Sequence, residues 1–244
     1  MKFAYVSFVN ENPNYIELMR TTIESVRKFS KYPLILYFVV KDVSNYKIPY
    51  TNYKYDELII QVIEDKLLDV YYYKPYVIND ALENGLESGY YIESDDVLTK
   101  NADEILEEEM RRIEKGIPLS PIHPDDVEIP RRDYEEAGCV ERTQHYVHGH
   151  VLFNVSCKDF VREWLELCLK SGYRYRNADE TVLNMMYWRK NCKGYYMDII
   201  DPWYETFYEI VGDDRVVTYH GCKDYKKQAK LLEDMTRVSN LTIT

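Results

Sequence analysis

The run Tyr91-Ile92-Glu93-Ser94-Asp95-Asp96 places three carboxylates directly after a short apolar stretch. Glu93 and Asp95 are two positions apart, so in extended backbone their side chains face the same way. Two hard oxygen ligands in that arrangement suit Mg²⁺ or Mn²⁺ coordinating a diphosphate. A solvated acidic turn is the alternative, and Asp96 could stand in for Glu93 as the second ligand. A second cluster is His145, His148 and His150, of which the last two share one face of a strand. A zinc site there lacks a fourth close ligand and any HExxH or CxxC frame. The preferred reading is that these histidines line one side of a cleft or are partly exposed. Five cysteines, odd in number and without a CxxC pair, suggest reduced thiols in a cytosolic compartment.

These groups need elements to hold them. Residues 2–9 read as a buried strand, and Ile16, Met19, Ile23 and Val26 fall at helical spacing within Asn14 to Phe29. Leu34 to Val40 is a continuous apolar run, as in a strand covered on both faces. Leu58 to Val62 reads as another short strand, Lys74 to Asn84 as a helix, and 90–92 as a strand running into the acids. Strand–helix alternation over the first hundred residues predicts a mainly parallel α/β sheet with right-handed crossovers. Ligands bind such sheets beyond the carboxyl ends of strands, which points to Ser7–Asn10 and to Glu93–Asp96. Further on, 108–142 reads as exposed connection. Strands are expected at 149–155 and 216–220, and helices at 158–170, 178–189 and 225–236.

The chain has 244 residues and a net charge of −11, with 45% hydrophobic and 30% charged content. That is one globular domain in size and composition. The acidic balance argues against general nucleic-acid binding, which needs a basic face for phosphate. It leaves an anionic small substrate possible, because a bound metal and one or two lysines invert the local field. No stretch approaches the ~18–20 apolar residues of a membrane span, and residues 1–9 are too brief for a secretory leader. Cytoplasmic placement is expected.

Several segments, in order, resemble a GT-A glycosyltransferase of the glycogenin and lipopolysaccharide galactosyltransferase family (glycosyltransferase family eight). Ser7-Phe8-Val9-Asn10 with Tyr15 resembles its first nucleotide-binding segment, and Tyr73-Lys74-Pro75-Tyr76 the helix before its metal motif. Tyr91-Ile92-Glu93-Ser94-Asp95 sits where that family has Tyr-Leu-Asp-x-Asp. Gly149 to Asn154 resembles its Gly-Val-x-Leu-x-Asn strand, and Asp179-Glu180-Thr181-Val182-Leu183-Asn184 its Asp-Gln-x-x-Leu-Asn helix start. His220-Gly221-Cys222-Lys223 resembles a shortened C-terminal His-x-x-Gly-x-Lys element. Two departures stand out: Glu93 replaces the first Asp of the metal motif, and Val147 replaces an Asn before the glycine of the middle strand.

The resemblance implies a single α/β domain over 1–244 with the GT-A, Rossmann-like fold, a mainly parallel mixed sheet flanked by helices. Residues 1–100 would form the nucleotide-sugar half and 101–244 the acceptor-side half with a closing C-terminal element. It implies transfer of a hexosyl group from a UDP-glucose or UDP-galactose type donor to a hydroxyl acceptor, with retention and with Mn²⁺ or Mg²⁺. Glu93, Asp95 and His220 would hold the ion, and Lys223 and Gly221 would meet the diphosphate. Ser7, Phe8, Val9, Asn10, Tyr15 and Lys74 would bind the nucleotide sugar. Asp179 and Asn154 would lie at the transferring sugar or the acceptor. On the residues alone, Asp179 is equally a helix cap, Asn154 equally a turn residue, and His220 an ordinary strand-end histidine. A non-catalytic nucleotide-sugar binding protein, a sugar-1-phosphate nucleotidylyltransferase and a metal-dependent hydrolase are the rival functions. For the second, the N-terminus lacks a Gly-rich basic loop.

Overall fold

The computed structural model describes residues 2–54, 56–67, 70–123, 127–136, 138–171, 178–203 and 215–241. The central sheet has five strands in the order β3-β2-β1-β4-β6. They are β1 (Phe3–Asn10), β2 (Leu34–Val40), β3 (Leu58–Glu64), β4 (Ser88–Tyr91) and β6 (Val151–Asn154). A two-stranded ribbon pairs β5 (Val97–Leu98) with β7 (Thr218–Tyr219). The described helices are α1 (Pro13–Phe29), α2 (Tyr73–Glu83), α3 (Ala102–Met110), α4 (Arg131–Glu136), α5 (Lys158–Ser171), α6 (Ala178–Arg189) and α7 (Tyr225–Leu241). The expected mainly parallel mixed sheet is present. Among the described residues no helix is long and apolar enough to cross a membrane.

The chain forms two compact units, each assembled from separate stretches of sequence. The β1 unit comprises Phe3–Asp65, Ile92–Glu108 and Ile199–Thr244. Here β1, β2 and β3 run parallel, with Val6 opposite Ile35 and Leu36 opposite Ile60. All seven residues of β2 are buried, which explains its unbroken apolar run. Helix α1 starts where Asn12 accepts from the Asn14 amide at 3.0 Å and Pro13 supplies a first position that needs no donor. Its buried stripe is Leu18, Met19, Ile23 and Val26. Leu231 and Met235 of α7 pack on Val97, Val216 and Tyr219. Asp103 ties this unit inward: it accepts from the Tyr5 hydroxyl (2.7 Å), the Ser30 hydroxyl (2.8 Å) and the Lys31 amide (2.9 Å).

The β6 unit comprises Met1–Lys2, Lys66–Tyr91 and Glu109–Asp198. Its strands β4 and β6 are antiparallel, with Gly89 opposite Phe153 and Tyr90 opposite Leu152. Helix α5 packs on α2 and α6. Every residue from Asp179 to Trp188 is buried, so α6 has no solvent face and carries its two acidic residues inward. Within 108–142, much of which is exposed as expected, one segment corrects the expectation of an exposed connection. Leu119 pairs with Leu152 and Ile122 with Val147, and Leu119, Ser120 and His123 are buried. Pro118 and Pro121 mask this edge segment in sequence, because proline reads as a strand breaker although sheet edges tolerate it.

Candidate active site

In the β1 unit the acidic turn is held from three sides. Ile92 donates to the Val6 carbonyl at 3.0 Å, aligning the turn's entry with β1. Thr22 Oγ1 on α1 lies 2.8 Å from the carbonyls of both Ser94 and Asp96, and Gln228 Nε2 on α7 lies 3.2 Å from the same two oxygens. Asp96 closes the turn itself: its carboxylate accepts from the Glu93 amide at 2.6 Å, and it is fully buried. This engages Asp96 as a turn lock, while Glu93 is half-buried.

Asp95 is the pressured member. Burial and the neighbouring Glu93 push its carboxyl up to about 6, although the Lys223 ammonium 2.6 Å away opposes them. Burial lowers the Lys223 ammonium, but Asp95 and Glu93 outweigh that and hold it above its ordinary value. Lys223 remains largely exposed and also feels the Tyr15 hydroxyl. The structure therefore brings Glu93, Asp95, Lys223 and Tyr15 together. Phe8 and Asn10, at the carboxyl end of β1, are half-buried. Ser7 and Val9 are buried, and Ser7 Oγ makes no hydrogen bond among the described residues. Alternation along β1 separates these two from Phe8 and Asn10.

His220 and Gly221 sit just beyond β7. His220 is buried, with Nε2 3.4 Å from Asp201 Oδ1 and its ring 4.5 Å from that of Trp203. Gly221 has φ +85, and a Cβ there would meet Trp203 Cε3 at 2.1 Å. Gly221→Ala should therefore cost about 1–2 kcal/mol in backbone strain and also dislodge the indole. Trp164 and Trp188 are buried while Trp203 is 39% exposed, so a shift in tryptophan emission would report the displacement. Unchanged emission and melting would overturn this.

In the β6 unit, Lys74 of α2 reaches Asp179 of α6, Nζ to Oδ2, at 3.0 Å, with both side chains buried. The ammonium also lies 5.3 Å from the Tyr91 ring centroid. Gly149 makes room for it, since a Cβ there would sit 2.1 Å from Lys74 Nζ and 3.2 Å from Glu180 Oε2. Trp164 Nε1 donates to the Asp179 carbonyl at 2.8 Å. Asn184 grips Val147 through both its backbone groups, accepting from N (2.8 Å) and donating to O (2.9 Å). Asn177, ahead of α6, lies outside the described residues. Asn154 Oδ1 accepts from the Ser156 amide (2.9 Å) and hydroxyl (2.5 Å), the work of a turn residue.

The histidine expectation is corrected in part. His148 and His150 are buried, and their Nδ1 atoms lie 2.7 Å apart, so one ring donates to the other. His145 is exposed. Its place is taken by His123, whose ring stacks on His148 at 5.4 Å. Sequence reasoning missed His123, Glu180, Asp201 and Trp203. Of these only Glu180 carried a signal, its place beside Asp179 within the quoted motif.

No protein-family model and no curated protein matches the chain. Solved structures do. The galactosyltransferase LgtC, in complex with donor and acceptor sugar analogues, superposes with a TM-score of 0.58 at 13% identity, over 97% of this chain and 96% of that one. The fold is the GT-A glycosyltransferase fold. An active-site mutant of LgtC gives a TM-score of 0.61 at 12% identity, over 96% of each chain. A glycosyltransferase involved in glycosylation of the major capsid of PBCV-1 gives 0.55 at 10% identity, over 94% of this chain and 99% of that one. The GT-A fold accounts for an acidic turn at the carboxyl end of a central strand, where α/β sheets place ligands.

Proposed function

We propose that the protein is a glycosyltransferase, moving a hexosyl group from a UDP-glucose or UDP-galactose type donor to a hydroxyl acceptor with retention. The observation that carries this reading is Asp95, buried at the end of the central strand against Glu93 and Lys223. Glu93 and Asp95 offer hard oxygen donors of the kind Mn²⁺ or Mg²⁺ takes, with His220 of the same unit as the proposed third ligand, although among the described residues these three are not gathered into one ligand cluster. Burial and Glu93 leave negative charge on Asp95 that Lys223 does not fully offset, and a cation relieves it. When bound, the ion supplies charge neutralisation for the departing diphosphate.

The chain's own residues do the rest. Lys223, largely exposed although paired with Asp95, offers a point charge to phosphate. Gly221 gives backbone access beside it, and Phe8, Asn10 and Tyr15 line the nucleoside side. Lys74 holds Asp179 in place, and Asp179 serves the sugar or acceptor, whereas Asn154, engaged with Ser156 and opposite Ser88 at the amino end of β4, is not retained for that role. No unengaged carboxylate nucleophile is assigned, so the reading is a front-face transfer in which the leaving phosphate takes the acceptor proton. LgtC was crystallised with donor and acceptor sugar analogues, and the same two ligand classes are proposed here.

Mn²⁺ and UDP together should raise the melting temperature more than either alone. At a hundred times its Kd a ligand adds about 2.7 kcal/mol. A panel of nucleotide sugars with Mn²⁺, scored for UDP release, then names the donor. No melting shift at millimolar UDP and Mn²⁺ would sink the reading. Binding without turnover on any acceptor would leave a nucleotide-sugar binding protein.

A further inference from the structure

Two buried side chains from different helices meet at the backbone on either side of Asp95. Thr22 of α1 and Gln228 of α7 are both fully buried. Thr22 Oγ1 lies 2.8 Å from the Ser94 carbonyl and 2.8 Å from the Asp96 carbonyl. Gln228 Nε2 lies 3.2 Å from each of the same two carbonyls and 3.3 Å from Thr22 Oγ1. An amide nitrogen carries two hydrogens and a hydroxyl one. Three hydrogens therefore serve three acceptors, the two carbonyls and Thr22 Oγ1. The Gln228 oxygen, Oε1, is buried and makes no hydrogen bond among the described residues. Leaving a buried acceptor unmade is costly, and the position bears that cost for the sake of its two N–H groups.

The turn closes without this clamp. The Asp96 carboxylate accepts from the Glu93 amide at 2.6 Å, and the Asp96 amide donates to the Glu93 carbonyl at 3.3 Å. What the clamp adds is a fixed orientation of the peptide groups that flank Asp95, and with it the direction in which that carboxylate leaves the backbone toward Lys223 Nζ, 2.6 Å away. We propose that Gln228 and Thr22 are positioning residues for Asp95: by pinning the carbonyls before and after it, they hold its carboxylate in the place where a ligand is to be met. A reacting group held by its own supporting shell binds more tightly than one left free to turn.

Two measurements test this. The first is a Mn²⁺ titration followed by electron paramagnetic resonance, with UDP present, and it rests on the reading of Asp95 as an ion ligand. Gln228→Met, similar in length but without N–H groups, should weaken Mn²⁺ binding about 10- to 100-fold. Thr22→Val should act in the same direction, Thr22→Ser should bind as wild type does, and Gln228→Met should change nothing further once Asp95 is asparagine. The second measurement needs no ion. The coupling between Asp95 and Lys223 is read from chemical denaturation in EDTA at pH 8 of Asp95→Asn, Lys223→Met and the double variant. It should shrink in the presence of Gln228→Met or Thr22→Val. If Asp95→Asn weakens Mn²⁺ binding while Gln228→Met and Thr22→Val do not, the proposal is overturned and the ion reading stands. If Asp95→Asn leaves Mn²⁺ affinity unchanged, the ion reading fails and the coupling decides: a coupling as strong in both variants as in wild type overturns the proposal. A lower melting temperature with affinity and coupling unchanged also overturns it, leaving the clamp a fold contact alone. Where Gln228→Met does not fold, Thr22→Val and Thr22→Ser carry both measurements.

Discussion

Asp95→Asn should release no UDP from a sugar donor and yet melt above the wild type at pH 8. The loss follows from removing a charged group at the reacting diphosphate, where one such group contributes ~10²–10³-fold in rate. The gain follows from the carboxyl standing at about 6 in the folded protein against 3.8 ordinarily. Between those values the folded state holds a proton that the unfolded chain has released, so wild-type stability falls as pH rises through the window. Above it the charged carboxylate costs on the order of 2–3 kcal/mol, which the amide of equal size avoids. Below about pH 4 the two proteins should converge. Melting curves in EDTA at pH 4 and pH 8 measure this. An equal difference at both pH values, or wild-type UDP release, would refute it. The expected pair of results would mark Asp95 as a position where stability is sacrificed for activity.

The opposite sign is expected at Lys74. Lys74→Met removes the cation from a buried pair and leaves Asp179, with Glu180 beside it, without its counter-charge. Breaking a buried pair from one side costs about 3–5 kcal/mol, or ~6–20 °C in melting temperature for a domain of this size. Adding Asp179→Leu should recover most of that loss, because replacing both partners by apolar groups is far cheaper than removing one. Gly149→Ala should partly imitate Lys74→Met, since its methyl needs the space that Nζ occupies. Chemical denaturation of the three variants decides it. A single variant within 1 kcal/mol of wild type, or a double variant no better than Lys74→Met, would show that the pair is not the source of stability.

The contrast between these positions shows what a chain reveals before it folds. The acids at 93–96 were legible because the strand ahead of them and the turn that carries them are contiguous, and alternation alone gives their direction. The helices α1 and α5 and the strand β2 were equally plain from periodicity. The Lys74–Asp179 pair joins residues more than a hundred positions apart, and nothing local in either segment announces the other. Asp201 is one of many aspartates until the stretch before Trp203 is seen beside β7. Flanking prolines hide His123, and proximity in sequence groups His145 with His148 and His150 although His145 is exposed.

The five cysteines have a practical consequence. All are buried. Burial pushes the Cys157 and Cys192 thiols up to about 11 and raises those of Cys139, Cys168 and Cys222 as well. Thiolate, the form that reacts with alkylating probes, is therefore scarce at neutral pH and poorly reached by reagent. A single cysteine introduced at an exposed position such as Glu166 on α5 would be labelled alone by a maleimide dye, so fluorescence or spin-label distance measurements can begin from the native sequence without first stripping out its own thiols.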